Sequence, residues 1–351
     1  MFRNYLKIGW RNLMKNKAFS FINIFGLSVG LVCCMLITFY IINELSYDKF
    51  HKNINQLYQV TTTFVKEKDE RSSPNTPSPL AAAMKQEFPE IQETARMMGL
   101  FAEDKTLLQY FEPNGNARSF YETKGYLADS TFFRMFTYHF IEGNAATALN
   151  QPNTIVITED IAHKIFGTEP ALNKIIHVSS NSNGNEDYLV TGVFRPDITP
   201  SHIDGRFFMN IYSGSMGRYI RTNTNLANNN MFFTYLMLKP GTNAKQLENK
   251  FPSFVDKYES KDLKLAGFYK KQFLLPVRDI HLHANMEADV TPVGSVTYLY
   301  ILGSIAIFTL LIACINFMNL STARSSKRSA EVGVRKVLGA EKKSLVWQFL
   351  G

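Results

Sequence analysis

Two long apolar runs without a charged side chain constrain the fold of this chain more than any other feature. The first extends from Phe21 to Ile42 and the second from Val296 to Leu320. As an α-helix, each run is long enough to cross a hydrocarbon core of about 30 Å. A buried helix of a water-soluble protein rarely stays uncharged over such a length, so we predict membrane-spanning helices at 21–42 and 296–320.

The chain carries a net charge of +8, and its excess of basic over acidic residues lies at the two ends. The stretches with the basic excess are 1–20 and 321–351, whereas the part between the apolar runs has a small acidic excess. Basic residues beside membrane spans mark the cytoplasmic side. We therefore expect both termini in the cytoplasm and residues 43–295 outside it. The lipid membrane, rather than nucleic acid, is the expected partner of the basic ends.

Residues 1–20 mix basic and apolar side chains ahead of the first run. This pattern favours an amphipathic basic helix that lies on the inner membrane surface. A basic flank without helical structure is the alternative. A cleavable signal peptide fits poorly, because the apolar run exceeds the usual ~7–15 residues and no A-x-A cleavage site follows it.

The outer region contains two β-α-β patterns that flank a different central part. Their strand, helix and strand residues are 57–65, 80–88 and 95–101 in the first pattern and 232–238, 244–258 and 273–277 in the second. The strand-like runs of the central part are 119–127, 154–157, 175–179, 188–194 and 206–212. One helix, 159–166, is closed there by Gly167.

These patterns predict an α+β extracytoplasmic domain of two lobes. The outer lobe comprises about 45–115 and 228–290 and is built from the β-α-β patterns. The inserted lobe, at about 116–227, is β-rich and lies between the two halves of the outer lobe in the sequence.

No nucleotide-binding or catalytic motif stands out in the sequence. The chain has no Gly-Lys dipeptide and hence no P-loop, and Ser213 occupies the first glycine position of a G-x-S-x-G elbow. Neither H-E-x-x-H nor paired C-x-x-C motifs occur. We therefore predict no catalytic, cofactor-binding or metal-binding residue and a chain that is not an enzyme.

The most metal-like pattern is His281-Leu282-His283. On a strand the two imidazoles would share a face, and Asp279 or Glu287 could complete a site. Two histidines without a fixed third ligand more often belong to a polar loop, which is the interpretation we favour.

The first apolar run carries a GxxxG pattern, Gly26 and Gly30. Small residues at this spacing let two helices approach closely within a membrane. We predict that these glycines form a helix packing surface, without specifying whether the partner helix belongs to the same chain.

Several segments together resemble one membrane-protein family. The tail carries Thr322-Ala323-Arg324 and then, from Glu331 to Ala340, EVGVRKVLGA. With the N-terminal LKIGWRNLMKNKAFSFINIFGLSVG, Ala128-Asp129, TIVITEDIAHKIFG and IACINFMNLSTARS, the tail resembles MacB/FtsX-type ABC transporter permeases. These permeases combine a periplasmic core domain with FtsX-like membrane segments, and the resemblance covers essentially the whole chain.

The resemblance implies a permease of the bacterial inner membrane whose outer lobe is porter-like. It implies three classes of partner: an ABC ATPase subunit that hydrolyses ATP, a second permease copy or homologous half, and in some systems a periplasmic or outer-membrane protein. Such permeases transmit ATP-driven motion to the periplasm, for export or extraction of substrates that range from lipoproteins to drugs.

The resemblance also implies that part of the tail docks on the ATPase. The implied coupling residues are Glu331, Val332, Gly333, Val334, Arg335, Lys336, Val337, Leu338 and Gly339. Val334, Val337 and Leu338 would supply apolar contact, while Arg335 and Lys336 would pair with acidic groups. The family has further spans after this segment, so we expect the chain to be a fragment that stops at the start of a third span within 321–351.

A signalling receptor with an extracytoplasmic sensor domain is the alternative function, and a membrane-anchored hydrolase is a third. A receptor should continue into long heptad-patterned helices after the second span. In this sequence Gly339-Ala340 is followed instead by a new apolar run, which favours the permease.

Overall fold

The computed structural model describes residues 17–66, 69–284, 286, 290–327 and 337. The chain divides into two compact units, which are treated separately below. One unit, the outer unit, is Asn43–Ser295, and the other comprises the residues before and after it. Most of the predicted lead-in helix, 1–20, lies outside the described residues.

The described residues form ten α-helices and fourteen strands, with short 3₁₀ turns at Ile54–Gln56 and Val277–Asp279. The helices are α1 (Lys17–Glu44), α2 (Leu80–Glu87), α3 (Phe132–Met135), α4 (Glu159–Phe166), α5 (Gly214–Thr222), α6 (Ala244–Glu248), α7 (Phe251–Tyr258), α8 (Ser260–Ala266), α9 (Ile280–His283) and α10 (Val296–Lys327). The strands are β1 (Leu57–Lys66), β2 (Asp69–Ser73), β3 (Asn75–Thr76), β4 (Ile91–Gly99), β5 (Thr106–Phe111), β6 (Ala117–Glu122), β7 (Gly125–Ala128), β8 (His139–Gly143), β9 (Thr154–Thr158), β10 (Ile175–Ser180), β11 (Gly184–Arg195), β12 (Phe207–Asn210), β13 (Phe232–Leu238) and β14 (Tyr269–Pro276).

Helices α1 and α10 contain the two apolar runs. Within them, Ile24–Glu44 and Val296–Asn319 are long and apolar enough to cross a membrane. Only 6% and 11% of the residues in their most apolar windows are buried inside the protein. A core helix of a soluble protein would bury such side chains, so both helices have the character of membrane spans.

The strands of the outer unit form one continuous sheet. Its order is β14-β1-β13-β4-β7-β12-β9-β11-β10-β5-β6, while β2, β3 and β8 pair at its sides with β1, β13 and β11. Helices lie beside this sheet, so the prediction of a mixed α/β outer domain is confirmed.

The end of the sheet from β14 to β4 is a split β-α-β arrangement and forms the outer lobe. Strand β1 runs antiparallel to β14 and β13, and β13 runs antiparallel to β4. Hence β1 and β4 are parallel and joined through α2, while β13 and β14 are parallel and joined through α6 and α7. Leu80 and Met84 of α2 and Phe251 and Phe254 of α7 belong to one buried cluster with residues of these strands.

The inserted lobe begins earlier than its sequence boundary of about residue 116. Strand β5, which the sequence placed in the outer lobe, pairs with β6 and β10 at the far end of the sheet. Leu108 of β5 is buried in the core of the inserted lobe together with Ile176 and Val178 of β10. The pairing with β6 is a local hairpin, whereas the pairing with β10 joins residues far apart in the sequence, which the local pattern of β5 does not encode.

Two further element boundaries differ from the sequence prediction for local reasons. The helix predicted at 244–258 is divided into α6 and α7, because the ring of Pro252 would clash with the Glu248 carbonyl in a continuous helix. The strand predicted at 119–127 is divided into β6 and β7 beside Lys124, which has a left-handed backbone with φ of 59°. Helix α4 ends as predicted at Gly167, where φ is 68°.

Candidate functional site

The residues that follow α1 hold a buried contact with the segment that precedes α10. Nε2 of His281 lies 2.8 Å from Oε2 of Glu44, the last residue of α1. The Tyr47 ring stacks on the His281 ring with centroids 3.4 Å apart. The Gly294 amide donates to the His281 carbonyl oxygen at 2.7 Å. A Cβ at Gly294 would lie 2.8 Å from Oε2 of Glu44, so no larger residue fits without displacing this contact.

This geometry corrects the strand considered for His281 and His283. Both residues belong to the short helix α9, where His281 is buried and His283 is exposed. Residues two apart on a helix do not share a face, so these imidazoles cannot converge as they would on a strand. Across the described parts of the chain, no group of three potential metal ligands comes together. Glu287 lies outside those parts.

A second buried cluster surrounds the carboxylate of Asp48. Its Oδ1 accepts from Ser201 Oγ at 2.6 Å, and both oxygens lie 3.2 Å from the donating His202 amide. The Asp48 amide donates to the Pro200 carbonyl oxygen at 3.0 Å. Asp48 has a left-handed backbone with φ of 60°, a conformation that a short polar residue tolerates better than most. The loop at 200–202 therefore wraps around this carboxylate.

Two imidazoles flank the Asp48 carboxylate, and all three side chains are only 1% exposed. Nδ1 of His202 lies 2.9 Å from Oδ2, and Nε2 of His51 lies 3.6 Å from Oδ1. His51 Nδ1 accepts the Thr137 amide at 3.1 Å. On its other side, Nε2 of His202 lies 3.0 Å from the hydroxyl of Tyr235 on β13.

The environment shifts the titration of Asp48 and His51. Burial works to raise the pKa of the Asp48 carboxyl, but electrostatic attraction to His202 and polar contacts with His202, His51 and Ser201 hold that pKa far below its usual range. Burial lowers the pKa of the His51 imidazole, and the nearby Asp48 carboxylate opposes this only in part. At neutral pH the cluster therefore contains a carboxylate anion and a neutral His51.

The segment before α10 also reaches this cluster. Thr291 Oγ1 donates to the His202 carbonyl oxygen at 3.2 Å. His202 is thus bonded both by Asp48, which follows α1, and by Thr291, which precedes α10. We call the residues Glu44, Asp48, His51, His202, His281, Thr291 and Gly294 the helix-exit junction.

A third buried polar group lies where the two lobes meet. Arg96 of β4 donates to Asp129 through Nε and Nη2, at 2.9 and 2.8 Å. It also donates to the Tyr212 hydroxyl and to the Ser78 carbonyl oxygen, each at 2.8 Å. Burial works to lower the pKa of Arg96, but pairing with Asp129 raises it overall. Asp129 follows β7, so this fork connects the outer lobe to the inserted lobe.

The predicted site residues divide between described and undescribed parts of the chain. Of the coupling residues 331–339, all but Val337 lie outside the described residues, and the Val337 side chain is exposed. Gly26 and Gly30 of α1 face α10. A Cβ at Gly30 would lie 2.6 Å from Cβ of Ala313, and one at Gly26 would lie 3.3 Å from Nδ2 of Asn316. The prediction for these glycines concerns packing in a membrane, and it stays a prediction there.

Sequence reasoning missed the helix-exit junction. Asp48 and His202 are distant in sequence, and five of the seven histidines looked scattered. One signal was available: Glu44, Asp48 and His51 follow an apolar span at intervals of three or four residues, which is the spacing of neighbours on a helical turn. This spacing does not indicate which distant residues bind Glu44, Asp48 and His51.

Comparisons with known proteins agree with this architecture. The family profile described as MacB-like periplasmic core domain matches residues 20–253, and that described as FtsX-like permease C-terminal matches residues 303–351. An uncharacterized ABC transporter permease, YknZ of Bacillus subtilis (strain 168), is 35% identical over 94 residues. That match covers 25% of this chain and 24% of YknZ.

Two solved structures have similar outer regions. One is a domain of a protein assigned as a permease from Porphyromonas gingivalis, with a TM-score of 0.51 and 20% identity, covering 65% of this chain and 92% of that domain. The other is the periplasmic region of MacB from Actinobacillus actinomycetemcomitans, with a TM-score of 0.40, 15% identity and coverage of 65% and 94%. The first of these similarities shows that the outer unit shares a known fold.

Proposed function

This chain belongs to the MacB/FtsX family of ABC transporter permeases, and on that premise we propose that it transmits ATP-driven motion from a partner ATPase to its periplasmic unit. ATP hydrolysis takes place on the partner subunit. The chain lies in the bacterial inner membrane with both termini in the cytoplasm, next to a second permease copy or homologous half. A signalling receptor is set aside, because the FtsX-like match covers residues 303–351, where a receptor would need long heptad helices.

One observation carries the mechanism: His202 is bonded from both segments that join the apolar helices to the outer unit. Asp48 holds its amide, and Thr291 holds its carbonyl oxygen. A loose linker would absorb a tilt of either helix. A hydrogen bond to a charged group, such as that from the His202 amide to Asp48, is worth about 1.5–3 kcal/mol, whereas the neutral bond from Thr291 is worth about 0.5–1.5 kcal/mol. Together these bonds would pass a displacement of either segment on to His202.

His202 in turn connects to the sheet. Its Nε2 contacts the hydroxyl of Tyr235, a fully buried residue in β13 of the outer lobe. Strand β13 pairs with both β1 and β4. Movement that reaches His202 is therefore delivered to the middle of the outer lobe rather than to a surface loop.

At the cytoplasmic end, the segment from Glu331 to Gly339 docks on the ATPase. Val334, Val337 and Leu338 give apolar contact, and Arg335 and Lys336 pair with acidic groups. ATP binding closes the two ATPase copies and shifts this segment, and α10 carries the shift across the membrane.

A crosslink tests the docking step. A photo-reactive residue at position 338 of the native-length protein, activated in membranes that also contain the candidate ATPase, should capture that ATPase. The double substitution Arg335→Glu with Leu338→Asp should abolish both the capture and the stimulation of ATP hydrolysis, whereas Lys343→Glu in the same tail should leave both intact. Capture of lipid or of a second permease copy alone would refute the docking assignment.

A distance measurement tests the transmission step. Spin labels at Phe111 of the inserted lobe and Leu265 of the outer lobe, both exposed, should report an ATP-dependent change in separation in the assembled transporter. Asp48→Leu should reduce that change while ATP hydrolysis continues. An unchanged distance response in this variant would show that the junction does not carry the motion.

A further inference from the structure

Within the helix-exit junction, the two imidazoles that flank Asp48, His51 and His202, are not equivalent. His51 uses Nδ1 to accept the Thr137 amide at 3.1 Å. A backbone amide is only a donor, so Nδ1 must be unprotonated and the neutral ring carries its proton on Nε2. A second proton would have to enter at Nδ1, where it would face the Thr137 N–H, donor against donor.

His202 has no such restriction. Its Nδ1 faces Asp48, and its Nε2 faces the Tyr235 hydroxyl. A hydroxyl can either donate or accept, so it suits both the neutral and the charged imidazole. Protonation of His202 therefore keeps its contacts, whereas protonation of His51 breaks one.

We propose that His51 is a proton-operated latch: acidification of the extracytoplasmic side protonates it, displaces the Thr137 amide and loosens the segment after α1 from the inserted lobe. This regulation rests on the proposed function, because the released segment is the one that carries motion from α1. The Lys52 amide donates to Thr137 Oγ1 at 2.9 Å. Displacement of Thr137 from His51 would therefore weaken this second bond as well.

The groups around His51 define its response. Asp48, on the same segment, favours the charged ring, whereas His202, from the loop that wraps Asp48, disfavours it. The rings of Phe50 and Phe136 cover the imidazole with centroids at 4.1 and 5.1 Å and do not titrate. The Lys52 side chain is exposed and makes no ion pair with any described residue. Burial is the largest influence, and it opposes the charge.

A cavity lies beside residues that contact this buried site. A cavity of about 480 Å³ is lined by Phe50, Thr137 and Ser201, which also contact members of the junction. Such a cavity is large enough to hold water. Water in this cavity is the route by which the latch would receive its proton.

The direction of the effect follows from linkage. The pKa of His51 in the folded protein lies below its ordinary value of 6.5. The released state binds more protons than the latched state below pH 6.5, so the latch is fully stable above that pH and weakens as the pH falls. One proton changes the latched-to-released ratio by at most about tenfold per pH unit.

Hydrogen exchange of the Thr137 amide measures the latch directly. In the full chain, reconstituted without ATPase or ATP, exchange of peptides containing Thr137 is followed between pH 7.5 and 5 and corrected for intrinsic rates. We expect protection to fall below pH 6.5 by up to tenfold per unit. His51→Asn, whose Oδ1 takes the place of Nδ1, should keep protection constant across this range. His177→Gln, at a partly exposed histidine paired with Asp187, should show the wild-type profile.

A wild-type profile without pH dependence, or a dependence that persists in His51→Asn, would overturn the proposal. If His51→Asn does not fold, deuterium exchange at the imidazole C2 of wild-type His51 decides, because its midpoint must lie below 6.5. A midpoint at or above 6.5 would also overturn the latch. Since no ATPase is present, these outcomes are independent of the docking crosslink, and either proposal can fail alone.

Discussion

Replacing Arg96 with methionine should destabilise the outer unit more than any surface substitution. The guanidinium and the Asp129 carboxylate are only 8% and 13% exposed, so the change leaves a largely buried carboxylate without its cation. Of the bonds from residue 96 to Asp129, only the one donated by the backbone amide, at 2.7 Å, would remain. Removing one partner of a buried ion pair costs about 3–5 kcal/mol. The loss of the bonds to Tyr212 and Ser78 acts in the same direction.

Pulse proteolysis of the full chain in detergent, over a urea series, can measure this loss. With a denaturant slope of about 3 kcal/mol per M for a unit of this size, the midpoint should fall by about 1 M or more. Arg218→Met is the matched control, because Arg218 is 70% exposed and its contact with Glu186 spans 3.9 Å. Exposed pairs contribute below about 1 kcal/mol.

The double substitution Arg96→Met with Asp129→Leu separates charge burial from packing. It should recover part of the stability, because no unpaired anion remains. If Arg96→Met lowers the urea midpoint no more than Arg218→Met does, the fork does not stabilise the contact between the two lobes, and the argument from its burial is wrong.

Three further changes test other features of the structure. Gly30→Val should separate α1 from α10 and lower the thermal stability of the detergent-solubilised protein. Gly303→Val is the control and should have little effect, because a Cβ there meets its nearest atom at 3.8 Å. Equal effects of the two substitutions would exclude close packing at Gly30. Gly294→Ala should lower protease resistance near the end of α1, because its Cβ falls 2.8 Å from Glu44 Oε2, and unchanged cleavage would contradict that contact. Asp48, whose folded pKa is depressed, stabilises the protein above its ordinary pKa of 3.8, and this contribution is lost as the pH falls below that value. Asp48→Asn should therefore reduce the loss of unfolding free energy as the pH falls below 3.8. If this loss is unchanged in the variant, it comes from other carboxyl groups.

Local chemistry made much of the architecture predictable. The uncharged runs identified α1 and α10, and the helix predicted at 159–166 and closed by Gly167 agrees with α4 to the residue. The break before Pro252 could have been predicted, because the clash of a proline ring with the preceding helical turn is purely local. The prediction of one helix at 244–258 did not take it into account.

Choices made between distant residues were not predictable. Strand β5 lies in the inserted lobe through its hairpin with β6 and its pairing with the distant strand β10, and one sequence does not rank competing distant edges. Ser201 and His202, which bind Asp48, and Tyr212, which binds Arg96, come from distant parts of the chain, so a polar residue read alone looked like any surface residue. The predicted coupling residues lie almost entirely in a part of the chain that the structure does not describe.

The continuous sheet limits how the outer unit can deform. The lobes are joined by backbone pairs of β4 and β7, Met97 with Ala128, Met98 with Leu127 and Gly99 with Tyr126. A jaw-like opening would have to break this ladder, whereas a change in twist would leave every pair intact. A displacement that enters at β13 is therefore expected to change the twist of the whole sheet. The tip at β6, the strand farthest from β14 in the sheet order, would then sweep through the largest arc.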